Sequence, residues 1–344
     1  MTKSISIQNL EFAYKGRQKV FQDFTLNLVQ PDQKGKVIAI MGSSGSGKTT
    51  LMKLLLGIEK QQQGLLKITP SNPVIAYVPQ EPVLFEHMSV ADNAAYFKFA
   101  GAYKKRFNED LYKSLLESLD LKDVLAKGRS VMELSGGQKQ RLSLLRALSI
   151  EPDILLLDEP CNGLDAAVKR AFLNKLREIT EQYGLFVLYI THHKLEAQLV
   201  ADEVVYLVQD KTTGVVSNAA QASIEMFMKR PPVLEAAQVF RFPDVKLLPV
   251  HLNGQGTAEI AAGENDISQY WLVEDDNICI NTNKGWPFKL VSKSPVYAVL
   301  RHEASMVEWM MPTGLFKDVE AGSMIWITLN NKTTAYSKDG FLIK

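Results

Sequence analysis

The sequence is poor in several features that define particular classes of protein. Its 344 residues include only two cysteines, Cys161 and Cys279. They cannot build a disulfide framework or a C-x-x-C metal pair, so we expect a reducing compartment. No apolar run approaches the roughly 20 residues that span a bilayer, and the first residues, MTKSISIQNLEFAYKG, lack the apolar core of a signal peptide. We therefore expect a soluble protein, or one that reaches a membrane only through another protein.

Net charge is also nearly absent. The chain has 39 basic and 38 acidic residues, which gives a formal net charge of +1 at pH 7. Bulk charge therefore does not hold this protein on nucleic acid or anionic lipid, although the balance leaves room for a local basic patch. With 46% hydrophobic residues, the chain has enough apolar material for a core, and its length allows one large or two ordinary domains.

The pattern of apolar residues changes along the chain. Short apolar runs of the buried-strand type, such as VIAYV, ILLLD and LFVLYI, alternate with helical patterns such as AAVKRAFLNKLREITEQYG, which Gly184 is expected to end. This alternation predicts an α/β domain with a largely parallel sheet over residues 1–230. Pro231 and Pro232 mark a change to short β-like stretches separated by turn residues. We therefore predict a small all-β, barrel-like domain over residues 231–344.

The stretch GSSGSGKTT at 42–50 matches the pattern G-x-x-x-x-G-K-[ST] between a predicted strand and a predicted helix. Glycines at these positions let backbone N–H groups surround phosphate oxygens at the positive end of a helix. Lys48 is expected to reach the β- and γ-phosphates, and Thr49 to offer its hydroxyl to Mg²⁺. The predicted nucleotide contacts of this loop are Gly42, Ser43, Gly45, Gly47, Lys48, Thr49 and Thr50.

Two carboxylates end the apolar strand ILLLDEP. Open α/β sheets present ligand-binding groups at the carboxyl ends of their strands. We therefore predict that Asp158 holds Mg²⁺ and that Glu159 polarises an attacking water as a general base.

A second anion site is predicted from LSGGQ at 134–138. Each glycine in a helix costs roughly 1 kcal/mol relative to alanine, so two of them at a helix start need a reason. They expose first-turn amides at the positive end of the helix dipole, next to a serine hydroxyl. The predicted contacts are Ser135, Gly136, Gly137 and Gln138.

With these motifs in this order, residues 1 to about 230 resemble the ATP-binding cassette (ABC) ATPases. The resemblance implies a P-loop ATPase domain with a helical subdomain, ATP and Mg²⁺ as cofactors, and a homodimer. In that family the signature helix of one subunit closes over the nucleotide held by the phosphate loop of the other, so two ATP molecules lie between two subunits.

The resemblance also implies roles for four further residues. Tyr14 is similar to the aromatic that stacks on adenine, and Gln80 to the glutamine that contacts Mg²⁺ and the attacking water. Asp165 is similar to the aspartate that crosses the dimer, and His192 to the switch histidine that holds the γ-phosphate. The predicted catalytic residues are thus Glu159, His192 and Gln80, and the predicted metal ligands are Thr49, Gln80 and Asp158.

Several absences indicate which kind of ABC ATPase the chain resembles. It carries no membrane domain, no long coiled coil between loop and signature, and a single cassette, as in the separate ATPase subunits of importers. The segment after Gln80 resembles the importer pattern in which Leu84, Phe85, His87 and Met88 form a groove for a permease helix. The alternative is that this apolar cluster is core beneath a helical subdomain. The resemblance implies integral-membrane permease subunits as partners, a solute-binding protein indirectly, and a peripheral position on the cytoplasmic face of the cell membrane.

The C-terminal stretches WLVEDDNICI and SMIWITLNNKTTAYS resemble strands of the transport-associated OB (oligonucleotide-binding-type) domain. The stretches LNKLREITEQYGLFVLYITHH and SMIWITLNNKTTAYS resemble most the ATPases of molybdate-type oxyanion importers. Related importers for sugars, polyamines, iron or sulfate share much of this pattern. An OB-like barrel could instead read single-stranded nucleic acid, but the acids in VEDDN and KDVEAG offset its basic residues. We therefore expect no nucleic-acid partner.

Overall fold

The computed structural model describes residues 2–31, 34–125, 129–210, 212–241, 245–252, 258–261, 267–274, 278–281, 286–293, 297–302, 307–312, 320–329 and 334–337. The chain divides into two compact units, Met1–Ile224 and Glu225–Lys344. The sequence-based boundary near residue 230, as a boundary between functional domains, stays a prediction.

The first unit is built on a nine-stranded sheet with the order β4-β1-β2-β9-β8-β3-β7-β6-β5. Its strands are β1 (Lys3–Ala13), β2 (Lys19–Gln30), β3 (Lys36–Gly42), β4 (Gln63–Thr69), β5 (Ile75–Val78), β6 (Ile154–Asp158), β7 (Phe186–Ile190), β8 (Glu203–Gln209) and β9 (Val216–Ser223). The strands β5, β6, β7, β3 and β8 pair in parallel, whereas β1, β2 and β4 pair antiparallel. The carboxyl ends of β3, β7, β6 and β5 therefore lie side by side.

Helices cover this sheet and complete the first unit. They are α1 (Lys48–Leu55), α2 (Val90–Ala94), α3 (Tyr96–Phe99), α4 (Glu109–Ser118), α5 (Gly136–Leu148), α6 (Ala166–Tyr183) and α7 (Lys194–Val200), with short 3₁₀ turns at Gly101–Arg106, Asp123–Leu125 and Val131–Glu133. As predicted, α6 ends at Gly184, which adopts the left-handed conformation with φ 58° and ψ 43°.

The central strands are buried on both faces, which explains their continuous apolar composition. In β7, Val187 and Tyr189 point into a core shared with α4, α5 and α6. The alternate residues Leu188 and Ile190 point into a second core, shared with α1 and the antiparallel strands. Alternate side chains of this one strand therefore pack into two different cores.

The second unit begins with α8 (Ile224–Lys229), which starts at the division, and α9 (Leu234–Arg241). Its strands are β10 (Val245–Leu252), β11 (Ala258–Ile260), β12 (Gln269–Glu274), β13 (Ile278–Asn281), β14 (Trp286–Lys293), β15 (Tyr297–Arg301), β16 (Glu308–Pro312), β17 (Met324–Leu329) and β18 (Thr334–Ser337). They form antiparallel sheets of order β11-β10-β12-β18 and β13-β17-β14-β15-β16, which share one apolar core. The predicted all-β class is confirmed, whereas the OB-like character stays a prediction.

Candidate functional site

Four neighbouring parallel strands bring the predicted residues to one edge of the sheet. β3 leads into the phosphate loop, β7 into His192, β6 into the acidic pair, and β5 into Gln80. Because parallel strands all end at the same edge, residues far apart in the chain become neighbours there. The side chain of Gln80 is exposed to solvent at this edge.

The phosphate loop is a tight turn in which two glycines have no room for a side chain. A Cβ on Gly42 would lie 2.5 Å from Ser46 Oγ, and a Cβ on Gly47 would lie 2.9 Å from Phe21 Cζ. Gly47 also has φ +81° at the start of α1, and Gly45 has φ +83° beside open space. Only glycine adopts these conformations without strain. Because no side chain has to be accommodated at Gly42 and Gly47, the loop can close into a compact cradle.

Lys48 is wrapped by the loop that it follows. Its Nζ donates hydrogen bonds to the carbonyl oxygens of Gly42 (3.0 Å) and Ser43 (2.8 Å). Burial lowers the pKa of Lys48, and the nearby charges of Glu159 and Asp158 oppose that shift. The Lys48 ammonium therefore lies near the loop carbonyls and the two carboxylates. It could pair with a phosphate group bound in the loop.

Ser46 carries an unsatisfied hydroxyl in the same loop. Its Oγ is fully buried, and the part of the chain that the structure describes offers it no hydrogen-bond partner. Leaving a buried hydroxyl without a partner costs about 1–3 kcal/mol. An anion in the cradle is the kind of group that would satisfy this hydroxyl. Ser46 is not predicted from the sequence, because the G-x-x-x-x-G-K-[ST] pattern fixes no residue type at its position.

The threonines that follow Lys48 differ in environment. Thr49 is exposed, whereas Thr50 is buried and its Oγ1 lies 3.3 Å from the hydroxyl oxygen of Tyr14. The Tyr14 ring packs edge-on against Phe12, with ring centroids 5.0 Å apart, and the Nζ of Lys53 lies 5.8 Å from its centre. The predicted adenine-stacking residue is therefore anchored to α1, next to the phosphate loop.

The two acids at the end of β6 have different surroundings. Asp158 is 6% exposed and accepts a hydrogen bond from the Tyr77 hydroxyl at 3.2 Å. Burial raises the pKa of Asp158, against the opposing effects of that hydrogen bond and of Lys48. Burial and the Asp158 charge together raise the pKa of Tyr77 to about 12. Tyr77, on neighbouring β5, was missed from sequence, because a tyrosine in an apolar strand is most often a core residue.

Glu159 adopts a left-handed backbone conformation with φ 43°, which is strained for a residue with a side chain. Its N–H donates to the Ile190 carbonyl at 3.1 Å, which ties the end of β6 to the end of β7. The turn directs the side chain toward His192, whose Nδ1 lies 2.9 Å from Glu159 Oε1. The predicted base and the predicted switch histidine are therefore in direct contact.

The histidine side chain at this contact is accessible to solvent. The His192 side chain is 52% exposed, whereas that of Glu159 is 20% exposed. The His193 ring packs against the His192 ring with centroids 3.9 Å apart, and burial is the main cause that lowers the pKa of His193.

The signature segment begins α5 with a reciprocal cap. Ser135 Oγ accepts from the Gln138 N–H at 3.3 Å, and the Gln138 side chain accepts from the Ser135 N–H at 3.0 Å. A Cβ on Gly137 would lie 2.7 Å from Val168 Cγ1, whereas one on Gly136 would meet nothing closer than 3.7 Å. Close packing against Val168 thus explains the glycine at position 137, which the sequence alone does not reveal. Gly136 is exposed.

Asp165 begins α6 as its N-cap. Its Oδ1 accepts from the N–H groups of Ala167 and Val168, both at 3.0 Å. Asp165 and Ser135 are exposed and stand at the starts of two helices that pack together through Gly137 and Val168. Within the described residues, no hydrogen bond or ion pair joins this second group to the phosphate loop.

Magnesium is compatible with the predicted ligands. Across the described ranges, no cluster of three or more His, Cys, Asp or Glu side chains forms a ready metal site. Mg²⁺ in phosphoryl-transfer sites is usually bound through one or two carboxylates, waters and substrate phosphates. Asp158 supplies one carboxylate, and the exposed Thr49 and Gln80 supply neutral oxygens. This donor set fits an ion that arrives with the nucleotide.

Comparison with known proteins places these features in a family context. Residues 27–162 match the family model described as ABC transporter. The chain is 38% identical over 218 residues to the sulfate/thiosulfate import ATP-binding protein CysA of Yersinia pseudotuberculosis serotype I (strain IP32953), covering 60% of this chain and 58% of that protein. It is 35% identical over 215 residues to the Fe(3+) ions import ATP-binding protein FbpC of Pasteurella multocida (strain Pm70), covering 60% and 59%. The chain thus spans less than two thirds of the length of these relatives.

Solved structures give the same fold. An inward-facing ABC transporter of the metal-chelate type superposes with a TM-score of 0.54 at 24% identity, covering 80% of this chain and 98% of that one. A bacterial Atm1-family ABC exporter with ATP bound gives a TM-score of 0.54 at 23% identity, covering 67% and 40%. These matches confirm the predicted ABC-type fold class, and the family match agrees with the predicted ATPase. Among the described residues, no helix is long and apolar enough to cross a membrane.

Proposed function

We propose that this chain, whose residues 27–162 match the family model described as ABC transporter, hydrolyses ATP to drive solute import through a separate membrane permease. One observation carries the proposal most directly. Beside the phosphate loop, Glu159 contacts His192 at 2.9 Å and is close enough to Lys48 for its charge to affect that lysine's pKa. This places a proton acceptor and two groups capable of contacting phosphate at one edge of the sheet.

Binding of the nucleotide is assigned to the cradle. The loop amides, the Lys48 ammonium and the orphaned Ser46 hydroxyl hold the β- and γ-phosphates, while Tyr14 stacks on the adenine. Thr49, Gln80 and Asp158 are the ligands proposed for Mg²⁺, which when bound neutralises charge on the phosphates during transfer.

Hydrolysis is assigned to Glu159. Its carboxylate accepts a proton from water as the water oxygen bonds to the γ-phosphorus, and the bond from that phosphorus to the β–γ bridging oxygen breaks. ADP and inorganic phosphate are the products. Because an ionised carboxylate only accepts hydrogen bonds, the contact with Glu159 requires that His192 Nδ1 carries a proton. The ring then orients the base, and its Nε2 is the atom left for the γ-phosphate, to which it donates a hydrogen bond when both ring nitrogens carry protons.

A homodimer completes the site in this proposal. Ser135, Gly136 and Asp165 are exposed, and within the described chain they make no hydrogen bond with the phosphate loop. Exposed amides at a helix start attract anions, so the signature of one subunit is proposed to close over the ATP held by the other.

The permease contact is proposed at the segment that follows Gln80. Asn93 is fully buried and bonds both the N–H (2.8 Å) and the carbonyl (3.0 Å) of Phe85, which fixes the backbone there. The Phe85 ring packs on Tyr96, with centroids 4.6 Å apart, and lies 5.2 Å from the Arg146 guanidinium. Leu84 packs against the core, so the core alternative holds for that residue. The rest of the segment is proposed as the groove, at the cytoplasmic face of the membrane.

The solute is proposed to be an oxyanion. Sulfate and thiosulfate, named for several relatives, are oxyanions like molybdate, whereas iron is named for another. The ATPase need not touch the solute, so a solute-binding protein and the permease are proposed to select it. Molybdate is the member of this class favoured by the sequence resemblance.

Reconstitution tests both levels of the proposal. The ATPase is co-purified with its permease, placed in liposomes with the solute-binding protein, and assayed with molybdate, sulfate, thiosulfate, ferric ion, a sugar or a polyamine. Stimulation by one or more oxyanions alone is expected. Stimulation by iron or a sugar alone would overturn the oxyanion class but keep the importer. A chain that brings no polytopic partner from membranes, and is instead retained on single-stranded nucleic acid in a salt-dependent way, would overturn the importer.

A further inference from the structure

A buried carboxylate behind the site joins the segments that carry its reacting groups. Glu196 in α7 is 2% exposed. Its Oε2 accepts hydrogen bonds from the Thr191 hydroxyl at 2.7 Å and the Tyr189 hydroxyl at 3.0 Å. Its Oε1 pairs with Lys169 Nζ at 2.7 Å. A buried carboxylate needs partners for its lone pairs, and here every partner comes from a segment that reaches the site.

One of these partners controls the turn that holds His192. Thr191 is 1% exposed and follows β7 directly. Its Oγ1 donates to Glu196 and accepts from the His193 N–H at 3.0 Å, and its own N–H donates to the Ile40 carbonyl at 3.3 Å. The hydroxyl and the N–H of Thr191 therefore fix the backbone on both sides of His192.

The other partners reach the segment between Glu159 and Asp165. Lys169 lies one turn into α6, and its N–H donates to the Asp165 carbonyl at 2.9 Å. The Tyr189 hydroxyl also lies close enough to the buried Cys161 thiol to affect the pKa of that thiol. Glu196 thus connects the histidine turn to the first turn of α6, which Asp165 begins.

We propose that Glu196 is a positioning residue that, through Thr191, aims His192 at Glu159 and, through Lys169, sets where α6 and Asp165 begin. Residues that orient metal ligands through hydrogen bonds typically contribute 10- to 100-fold to affinity or activity. We expect an effect of this size for a residue that orients His192, because small displacements of reacting groups are costly. The expected effect on catalysis rests on the proposed ATP hydrolysis. The orientation of the His192 ring can be measured without it.

The test separates the two connections with near-isosteric changes in the full chain. Thr191→Val removes the hydroxyl and keeps the side-chain shape, whereas Thr191→Ser restores the hydroxyl. Glu196→Gln keeps one oxygen for Thr191 and Tyr189 and removes the ion pair with Lys169. Glu181→Gln, which removes a 2.7 Å pair with Arg177 on the exposed face of α6, is the matched control.

Two readouts are needed. For Thr191→Val we expect kcat to fall about 10- to 100-fold, with the KM for ATP changed less than threefold. In histidine-labelled protein without nucleotide, the ring NMR signals of His192 should shift. Thr191→Ser should stay within threefold of the wild-type kcat, Glu196→Gln should also lower kcat at least fivefold, and Glu181→Gln should change neither readout.

Unchanged kcat in Thr191→Val, with or without a shift of the His192 signals, would exclude a role for Thr191 in positioning the reacting groups. A Thr191→Val protein with a lower melting temperature but unchanged kcat and unchanged His192 signals would show a purely structural role and overturn the inference. If the wild-type chain hydrolyses no ATP, the proposed function fails, and the NMR signals of His192 still decide the positioning role by themselves.

Discussion

Glu159 Oε1 and His192 Nδ1 lie 2.9 Å apart, although 33 residues separate them in the chain. The Glu159 backbone reaches this position in a left-handed conformation that is stabilised by its hydrogen bond to Ile190. Strain held in place at a reacting group is typical of functional sites.

Replacing the base should separate binding from hydrolysis. Glu159→Gln keeps the side-chain shape and a hydrogen-bond acceptor for His192 but cannot take a proton from water. We expect turnover to fall at least about 100-fold, with ATP retained in a dimer. Phosphate release and analytical size-exclusion chromatography with ATP measure the two effects. Glu178→Gln on the exposed side of α6 is the control, and near-normal turnover of Glu159→Gln would exclude the base role.

Removing the loop ammonium should weaken binding itself. Lys48→Ala deletes a charged donor to phosphate, and hydrogen bonds to charged groups contribute about 1.5–3 kcal/mol, so affinity should drop about 10- to 100-fold. Fluorescent-nucleotide titration and an ATPase assay measure the loss, with the exposed Lys60→Ala as control. Normal binding together with normal hydrolysis in Lys48→Ala would contradict the phosphate-loop assignment.

Asp158 should destabilise the fold at neutral pH. Burial raises its pKa above the ordinary value of 3.8, so the carboxyl is ionised more easily in the unfolded chain. Its contribution to stability is present below that ordinary value and is lost as pH rises through the raised pKa. Asp158→Asn, which keeps an acceptor for Tyr77, should therefore gain stability relative to wild type between pH 4 and pH 8 while losing ATPase activity.

Denaturant unfolding at several pH values measures this gain. The exposed Asp123→Asn should show no comparable trend. A difference between Asp158→Asn and wild type that is the same at pH 4 and pH 8 would mean that ionisation of Asp158 carries no cost in the folded protein.

The two signature glycines should respond differently to substitution. Gly137→Ala places a methyl group 2.7 Å from Val168 Cγ1, and such overpacking costs about 1–3 kcal/mol, partly offset by the ~1 kcal/mol that alanine gains in a helix. We expect a lower free energy of unfolding for Gly137→Ala than for Gly136→Ala. Adding Val168→Ala to Gly137→Ala should recover part of the lost free energy of unfolding. A Gly137→Ala protein as stable as Gly136→Ala would contradict the packing role.

The signature should act across the dimer. In a mixed dimer with Lys48→Ala in one subunit and Ser135→Arg in the other, both changes fall on one composite site and one site stays intact. With both changes in the same subunit, each composite site carries one of them. ATPase activity of purified mixed dimers should be higher in the first arrangement. Equal activities would argue against the proposed sandwich.

The sequence by itself determined that several of the site residues lie at one edge of the sheet. The phosphate-loop motif marked Lys48, and the ends of two apolar strands marked Asp158 and His192. The carboxyl ends of neighbouring parallel strands lie at the same edge by geometry alone. The all-β class of the second unit also followed from alternation and turn residues. These are local patterns, and the chain displays them without reference to distant partners.

Only the tertiary structure decided what supports those residues. The contact of Tyr77 with Asp158 spans 81 residues of chain, and Gly137 owes its identity partly to Val168 on another helix. The partners of Glu196 come from β7, from the turn that follows it and from α6, and the sequence of α7 by itself gives no sign of them. Such contacts depend on how buried faces pack against one another, and the residue type at each position is compatible with an ordinary core until its neighbours are known.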